Sequence, residues 1–293
     1  MASVQKKQWE KFMDSWKKMG APGRPNREVC LILFKHIKDH LIKVKGETRI
    51  VILGCTPEYR DLGYLCTNLF GSKVFCVDQS DYIYKAMSQL VSFPNKNEKF
   101  IKSDWVKMPI HSNSVDVVMG DSSIANLPKD KWDEFFSEVR RVMKNNAIFI
   151  PRNDTIPKKC PVKLDLDEEF RKQARKVLSG EKTIIEACGY VGDFMLRVSA
   201  LNNNYVASLR HFTKQFQKGY NNRKNKKDIV SKTALAIMDI CKETYFSSVY
   251  KEWTIMPPKL FEKELKKYFV IKKKIIPKHG LGSSFKIYLM RKR

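Results

Sequence analysis

The stretch from Arg49 to Ser80 constrains the fold of this chain more than any other part of its sequence. An apolar run from Ile50 to Leu53 leads into Gly54, and after a helical stretch a second apolar run, Val74 to Val77, ends at Asp78. Strand, tight turn, helix, strand and acid is the order of an α/β unit that binds a nucleoside. Glycine lets a ligand approach the backbone, and a carboxylate accepts hydrogen bonds from ribose hydroxyls.

The first loop of this unit resembles that of the class I S-adenosylmethionine-dependent methyltransferases, and in particular a subgroup whose loop has the sequence LG-x-TPE. The residues that match this loop are Leu53, Gly54, Thr56, Pro57 and Glu58. Thr56 and Glu58 stand where the wider family commonly has further glycines, and Ile52 stands where it commonly has an acid. These replacements count against NAD, since its pyrophosphate needs the missing glycines and would be repelled by Glu58 near a helix N-terminus.

Two later motifs extend the resemblance in the expected order. A short third strand, Lys99 to Lys102, precedes Asp104 and Trp105. In the family, an acid followed by an apolar or aromatic residue holds adenine here, which implies that Asp104 accepts from the exocyclic amine while Trp105 packs against the ring. A fourth strand, Val115 to Met119, is followed by Asp121, at the family's position beside the transferring methyl group.

The resemblance implies S-adenosylmethionine as the cofactor, and the residues that we expect to bind it are Gly54, Thr56, Asp78, Gln79, Asp104, Trp105 and Asp121. Displacement at a sulfonium methyl group needs alignment and exclusion of water, and needs a base only when the nucleophile must lose a proton. The family accordingly has no universal catalytic triad. Asp121 is our leading catalytic candidate by position, and the weaker candidates are His211, Tyr205 and Asp154.

The order of predicted elements indicates a Rossmann-like α/β sheet with two additions. We expect an N-terminal helical arm over residues 1–48, a methyltransferase-like domain over 49–154 and 255–293, and a helical insertion over 155–254. The helices predicted in the insertion cover 166–179, 181–199, 203–218 and 228–247. An insertion at this point lies over the carboxyl edge of the sheet, where a substrate lid belongs.

The N-terminal arm has four apolar residues at helical spacing: Trp9, Phe12, Met13 and Trp16. They favour a packing stripe, and the alternative is that the arm covers the cofactor. Seven scattered cysteines without a C-x-x-C pair indicate reduced, buried thiols, and five dispersed histidines indicate no metal site. Without a membrane-spanning run or a signal-peptide pattern, we expect an intracellular protein, cytoplasmic or nuclear, with no membrane partner.

The net charge of +25 has two interpretations. Residues 156–293 carry 31 basic and 13 acidic side chains, net +18, whereas residues 1–155 carry 25 and 18, net +7. This excess favours RNA or another anionic partner, but 42 lysines against 14 arginines also fit an AT-rich coding sequence. The stretch Lys214 to Asp228 indicates a solvated loop or a site for base stacking and phosphate contact, with these alternating residues: Phe216, Lys218, Tyr220, Arg223, Lys224, Lys226 and Lys227.

Two functions from different classes follow. The first is an active methyltransferase whose acceptor is RNA or a small molecule held under the helical lid. The alternative is a catalytically silent methyltransferase fold that binds nucleic acid or a partner enzyme. The altered glycine loop and the charge favour the alternative, whereas Asp78 and the Asp104–Trp105 pair favour cofactor binding. The sequence does not indicate an oligomeric state.

Overall fold

A twisted β-sheet lies at the centre of the computed structural model, which describes residues 16–17, 23–246, 251–278 and 284–293. The strands in chain order are β1 (Arg49–Leu53), β2 (Lys73–Asp78), β3 (Glu98–Lys102), β4 (Val115–Asp121), β5 (Met143–Asp154), β6 (Val206–Ser208), β7 (Glu252–Thr254), β8 (Phe269–Ile275) and β9 (Phe285–Lys292). Seven of them form one sheet in the order β3-β2-β1-β4-β5-β9-β8, and β6 pairs with β7 in a separate two-stranded sheet.

Strands β1 to β5 run parallel, and β9 runs antiparallel to both β5 and β8. Ile50 of β1 pairs with Val74 of β2 and Val117 of β4, so the carboxyl ends of these strands lie side by side. The predicted fold, a Rossmann-like class I methyltransferase sheet that ends in an antiparallel hairpin, is confirmed.

The described helices cover both faces of the sheet and fill the segment between β5 and β7. They are α1 (Arg27–Leu41), α2 (Pro57–Phe70), α3 (Asp81–Ser88), α4 (Trp132–Val142), α5 (Leu166–Leu178), α6 (Ile184–Asn202), α7 (Thr213–Arg223), α8 (Ile229–Thr244) and α9 (Pro258–Tyr268). Asn26 caps α1 by accepting from the Val29 N–H, and Thr183 and Glu186 form a capping box at α6. Such caps satisfy N–H groups that the first helical turn leaves unpaired.

The alternation of side chains along each strand builds two cores. Val51 and Leu53 of β1 face a cluster that includes Phe136 of α4 and Phe261 of α9. Ile50 and Ile52 of β1 lie in a second cluster, against α1 and α2. The sheet is therefore covered on both faces, which leaves its carboxyl edge as the place for a ligand.

The helices of the segment between β5 and β7 pack around a core of their own. Its fully buried members include Phe170 of α5, Met195 of α6 and Met238 of α8. Cys188 of α6 and Cys241 of α8 also belong to it, and their sulfur atoms lie 3.1 Å apart as free thiols. The helical character predicted for this segment agrees with these elements, while the division of the chain into three regions stays a prediction.

One predicted helix, 203–218, is wrong in its first part. Asn204 and Tyr205 have φ values of 46° and 68°, which end α6, and the chain then forms β6 and a 3-10 turn, Leu209–Phe212, before α7 begins. Alternating residues of a short strand and apolar residues of a helix give similar patterns over a few positions. Pairing with β7, a contact distant in sequence, decides the strand.

The basic stretch Lys214 to Asp228 is helical as far as Arg223, so the predicted loop is wrong for most of its length. Phe216 is buried and its ring lies 4.3 Å from that of Phe246. The guanidinium of Arg223 is buried and forms an ion pair with Asp167 of α5. Tertiary contacts therefore occupy two of the side chains that were predicted to meet nucleic acid.

The arm prediction falls largely outside the described residues, including Trp9, Phe12 and Met13. Trp16 is described, and it is buried against Cys55 and Met87. Within the described ranges, no helix is both long and apolar enough to cross a bilayer.

The aromatic contacts of Phe136 join α4 to the last strands of the sheet. Its ring lies 5.5 Å from Tyr268 and 5.9 Å from Phe269. We expect Phe136→Ala to lower the free energy of unfolding by about 3–5 kcal/mol, because it removes a fully buried ring. Phe93, half exposed and stacked on Tyr64, is the matched control, and Phe93→Ala should cost about 1 kcal/mol or less. Equal losses in urea denaturation would contradict this description of the core.

Candidate functional site

A cavity of about 410 Å³ opens at the carboxyl edge of the sheet. One wall comes from the ends of β1, β2 and β4 and the loop after β3. A second wall comes from the end of β5, from α6, from the end of α8 and the residues after it, from β7 and from the first residue of β9. Every residue predicted to bind the cofactor lines this cavity: Gly54, Thr56, Asp78, Gln79, Asp104, Trp105 and Asp121.

The Val77 carbonyl ties three parts of the first wall together. It accepts from the Gly54 N–H at 2.9 Å and from the Trp105 Nε1–H at 2.6 Å. Gly54 has φ +103°, a conformation that residues with a Cβ rarely adopt. The turn after β1, the end of β2 and the indole plane are therefore fixed against one another.

Asp78 is the last residue of β2, and its carboxylate accepts from the Ser80 N–H at 3.0 Å. Burial raises its pKa, and Lys251 opposes that rise. Although Lys251 remains solvent-accessible, the protein around its ammonium group desolvates it and lowers its pKa to about 8. Both residues line the cavity, and the Lys251 ammonium lies 5.3 Å from the centre of the Trp253 ring.

Asp104 and Gln79 lie together at the exposed rim of the first wall, where Gln79 Nε2 donates to Asp104 Oδ2 at 2.7 Å. The other Asp104 oxygen accepts from the Val106 N–H at 3.1 Å. Ile83 and Met87 of α3 provide apolar lining nearby, beside Trp16. A flat group with an exocyclic donor suits this combination of carboxylate and apolar surface.

Asp121, the leading catalytic candidate, is not a free carboxylate. Arg152 Nε donates to its Oδ1 at 2.6 Å, and the side chains of both residues are buried. Burial raises the pKa of Asp121 and the guanidinium opposes that rise. Arg152 also donates to the Gly23 carbonyl at 3.2 Å and lies 4.5 Å from the centre of the Phe285 ring. The pair connects β4, β5 and the chain before α1.

Two carboxylates on the second wall share one guanidinium. Arg197 forms ion pairs with Asp193, one turn earlier in α6, and with Asp154 at the end of β5, where Nη2 lies 2.7 Å from Oδ1. All three side chains are buried, and Asp154 and Asp193 line the cavity. Burial raises the pKa of Asp154, and Arg197 opposes that rise.

Two polar atoms among the cavity-lining residues have no hydrogen-bond partner within the described part of the chain. They are Oγ1 of Thr244, a residue only 6% exposed, and Oδ1 of Asn126. A buried polar atom without a partner costs free energy. Both atoms are therefore places where a ligand would gain a hydrogen bond.

The loop after β1 continues into α2 through Thr56 and Pro57. Glu58, in the first turn of α2, forms an ion pair with Arg24 instead of facing the cavity. Burial raises the pKa of Glu58 and Arg24 opposes that rise. The residue whose charge counted against a pyrophosphate is thus paired with a cation from the chain before α1.

The three weaker catalytic candidates lie in different places. Asp154 lines the cavity. His211 lies elsewhere, with Nδ1 2.8 Å from the Ser199 hydroxyl, and Tyr205 packs in a hydrophobic cluster beside Ile255. Neither of these two lines the cavity.

Sequence reasoning missed Asp193, Tyr245 and Lys251. A signal existed for Asp193, because an aspartate followed four residues later by Arg197 in an apolar helix indicates a buried ion pair. Tyr245 carried a weaker signal in Gly192, where an added Cβ would overlap its ring. Lys251 had none, since its position depends on contacts distant in sequence. Among the residues described, no group of side chains could hold a metal ion.

Comparisons with known proteins concern the fold and the domain family. Residues 53–150 match the family model described as "Methyltransferase domain". An S-adenosylmethionine-dependent methyltransferase from Methanosarcina mazei has a TM-score of 0.50 and 12% identity, with 88% of this chain and 96% of that chain covered. A Rhodobacter sphaeroides protein classed with the zinc-dependent alcohol dehydrogenases has a TM-score of 0.53 and 10% identity, with 97% and 99% covered.

At such identities these likenesses show the fold alone. A comparison with curated proteins finds no significant sequence match.

The Arg197 ion pairs lead to a stability prediction with a pH dependence. Arg197→Met leaves two buried carboxylates without a cation, which should cost about 3–5 kcal/mol at pH 7. Without the guanidinium, the pKa of Asp154 rises further above its unfolded value, so the folded state binds a proton more readily than the unfolded state. The lost stability should therefore return in part as the pH falls through that raised pKa.

Urea denaturation at pH 7 and pH 5 measures both effects. Arg175→Met removes an exposed ion pair with Glu168 and should cost less than about 1 kcal/mol, with no recovery at low pH. The buried ion pairs of Arg197 would be excluded if Arg197→Met lost no more unfolding free energy than this control, or if its loss grew on acidification.

Proposed function

We propose that this chain, whose α/β domain is a class I S-adenosylmethionine-dependent methyltransferase domain, transfers a methyl group to a small acceptor enclosed in the cavity. The observation that carries the proposal is the continuity of the cavity. It extends from Asp78 and Trp105 at the sheet edge to Asp154 and Tyr245 on the opposite wall. One cavity with a nucleoside site on one side and space for a second ligand on the other suits a reaction between two bound molecules.

The family match indicates S-adenosylmethionine as the cofactor, which supplies an activated methyl group. The residues of the first wall fit it. Gly54 leaves the backbone open to close approach, Asp78 offers carboxylate acceptors for ribose hydroxyls, and Trp105 presents a fixed ring beside Asp104 for adenine. In this proposal Thr56 and Gln79 complete the rim of the site.

The second wall would hold the acceptor and exclude water. Tyr245, Trp253 and Phe285 give it aromatic surface, and Leu196 and Ile255 add aliphatic surface. Methyl transfer from a sulfonium depends mainly on alignment and desolvation, both of which an enclosed wall provides. Tyr245 is held in place by its O–H, which donates to the Gly189 carbonyl at 3.4 Å.

Asp121 then acts as a positioning residue instead of a base. Its carboxylate is committed to Arg152, and the pair joins β4 to β5 beside the place where the two ligands would meet. A carboxylate held by a guanidinium is a poor proton acceptor, because protonation would leave the buried cation unpaired.

Charge favours a small acceptor over RNA. Among the described residues, the charged ones that line the cavity are five aspartates and one lysine, Lys251, an excess of acids that disfavours a phosphate chain. The basic stretch offers exposed lysines at 218, 224, 226 and 227, but Phe216 and Arg223 are buried. The Tyr220 ring stacks on Phe216, with 6.2 Å between the ring centres, and lies 5.4 Å from the Lys242 ammonium. A stacking platform for single-stranded RNA needs free aromatic faces.

A catalytically silent binding subunit would not need a cavity with charged, aromatic and polar side chains on both of its walls. Paired buried charges and unpartnered buried polar atoms both cost folding free energy. Their presence in one cavity supports a working site over a silent fold.

Cofactor binding is tested most directly at Asp78. Asp78→Ala removes the acceptors for the ribose hydroxyls and should weaken S-adenosylhomocysteine binding by roughly 2–4 kcal/mol, or about thirty-fold or more. Asp81→Ala, three residues away in a surface ion pair with Lys102, is the control and should bind normally. Calorimetric titration that finds equal affinities in the two variants would remove Asp78 from the site.

Methyl transfer itself can be followed with S-adenosylmethionine that carries a deuterated methyl group. We expect mass spectrometry to find the label in the low-molecular-mass fraction of a cell extract after incubation with the protein, and not in its RNA fraction. Asp78→Ala should abolish most of that transfer. Label that accumulates in RNA would overturn the small-acceptor proposal, and the absence of label from both fractions would favour the silent fold.

A further inference from the structure

Building on the proposed function, we propose that the acceptor is a small amine, bound as a cation against Asp154, Asp193 and the aromatic side chains of the second wall. The acceptor nitrogen would be the atom that receives the methyl group.

The distribution of charge across the cavity wall is the first argument. Asp154 and Asp193 line the cavity, whereas Arg197, which forms ion pairs with both, does not line it. Lys286 is buried and donates to the Thr155 hydroxyl at 2.7 Å. At this part of the wall a ligand therefore meets two carboxylates, with their cation behind them, whereas the cavity-lining Lys251 interacts with Asp78. This arrangement favours a cation over a carboxylate or a phosphate beside Asp154 and Asp193.

The carboxylates also have remaining capacity to accept hydrogen bonds. Each carboxylate oxygen accepts two, and Arg197 uses one direction on the Asp193 oxygens and on Asp154 Oδ1. An ammonium group has two or three N–H donors, so it can bond both carboxylates at once. Such charge-assisted hydrogen bonds are stronger than neutral ones.

The unpartnered atoms provide an independent argument. Thr244 is 6% exposed, lines the cavity, and has no partner for Oγ1 among the described residues, and the same holds for Oδ1 of Asn126. The amide oxygen is an acceptor only, and the hydroxyl oxygen can accept as well. N–H donors on the ligand would satisfy both atoms, whereas a carboxylate or an ether has no donor for the Asn126 oxygen.

The aromatic rings of the second wall already face cations. The Phe285 ring lies 4.5 Å from the Arg152 guanidinium and 5.7 Å from that of Arg197. The Trp253 ring lies 5.3 Å from the Lys251 ammonium. These two rings therefore already stabilise cations of the protein, so a bound organic ammonium ion would depend on the carboxylates and on Tyr245, the third aromatic residue of this wall.

The reaction balances without any further reagent. The ammonium ion first loses a proton to solvent water, which frees the nitrogen lone pair. That pair forms the bond to the methyl carbon while the carbon–sulfur bond breaks, and its electrons stay on sulfur in S-adenosylhomocysteine. The products are the N-methylated ammonium ion, S-adenosylhomocysteine and the released proton.

Binding of matched probes tests the proposal without turnover. Phenethylamine, 2-phenylethanol and 3-phenylpropanoate share a ring and a short chain and differ in charge. Each is titrated calorimetrically into the protein with and without saturating S-adenosylhomocysteine. We expect the amine to bind at least about tenfold more tightly than the alcohol and the acid.

Two variants of the wall locate the binding. Asp193→Asn keeps the side-chain shape, and Thr244→Val keeps the volume while it removes the hydroxyl, so each should weaken phenethylamine binding by about fivefold or more. Asp239→Asn, on the surface beside Tyr220, is the control and should leave it unchanged. S-adenosylhomocysteine affinity should stay the same in all three variants.

The two proposals fail in different ways. If the parent protein does not bind S-adenosylhomocysteine, the proposed function is overturned. The titration of the amine in the absence of S-adenosylhomocysteine would still show whether the cavity prefers a cation. Equal or tighter binding of the acid, no amine binding in either series, or unchanged amine affinity in both wall variants would overturn the amine proposal.

Discussion

The site depends on one backbone acceptor, the carbonyl of Val77. It receives the Gly54 N–H at 2.9 Å and the Trp105 Nε1–H at 2.6 Å, and so fixes the turn after β1 and the loop after β3 to the end of β2. An sp² oxygen has two lone pairs, and here both directions are used to position other groups. The Asp78 carboxylate is the next residue, so its position follows from the same anchor.

The second constraint is the cost of burying charge. Arg152–Asp121 and Arg197–Asp154–Asp193 are withdrawn from water at the two sheet strands nearest the helical segment. A buried ion pair adds little net stability, but removal of one of its partners is strongly destabilising. Their value lies in holding the carboxylates of the second wall at fixed positions opposite the nucleoside site.

Much of the fold could be predicted from the sequence because parallel strands are short apolar runs that end in turn residues or acids. The run from Ile50 to Leu53 and the acid at Asp78 were sufficient for this. The second wall could not be predicted, because β6 and β7 are far apart in the sequence. Their pairing in the folded chain determines where Lys251, the residue before β7, lies. Arg223 is buried in the folded protein, and the sequence alone does not distinguish it from an exposed basic residue.

A crystal structure of the protein with S-adenosylhomocysteine would test the central claim, that one cavity holds two ligands on opposed walls. The account predicts that the ribose hydroxyls bind Asp78, that the adenine packs against Trp105, and that the sulfur faces the wall with Asp154 and Asp193. Density for the ligand outside the cavity, or a sulfur atom directed away from that wall, would contradict it.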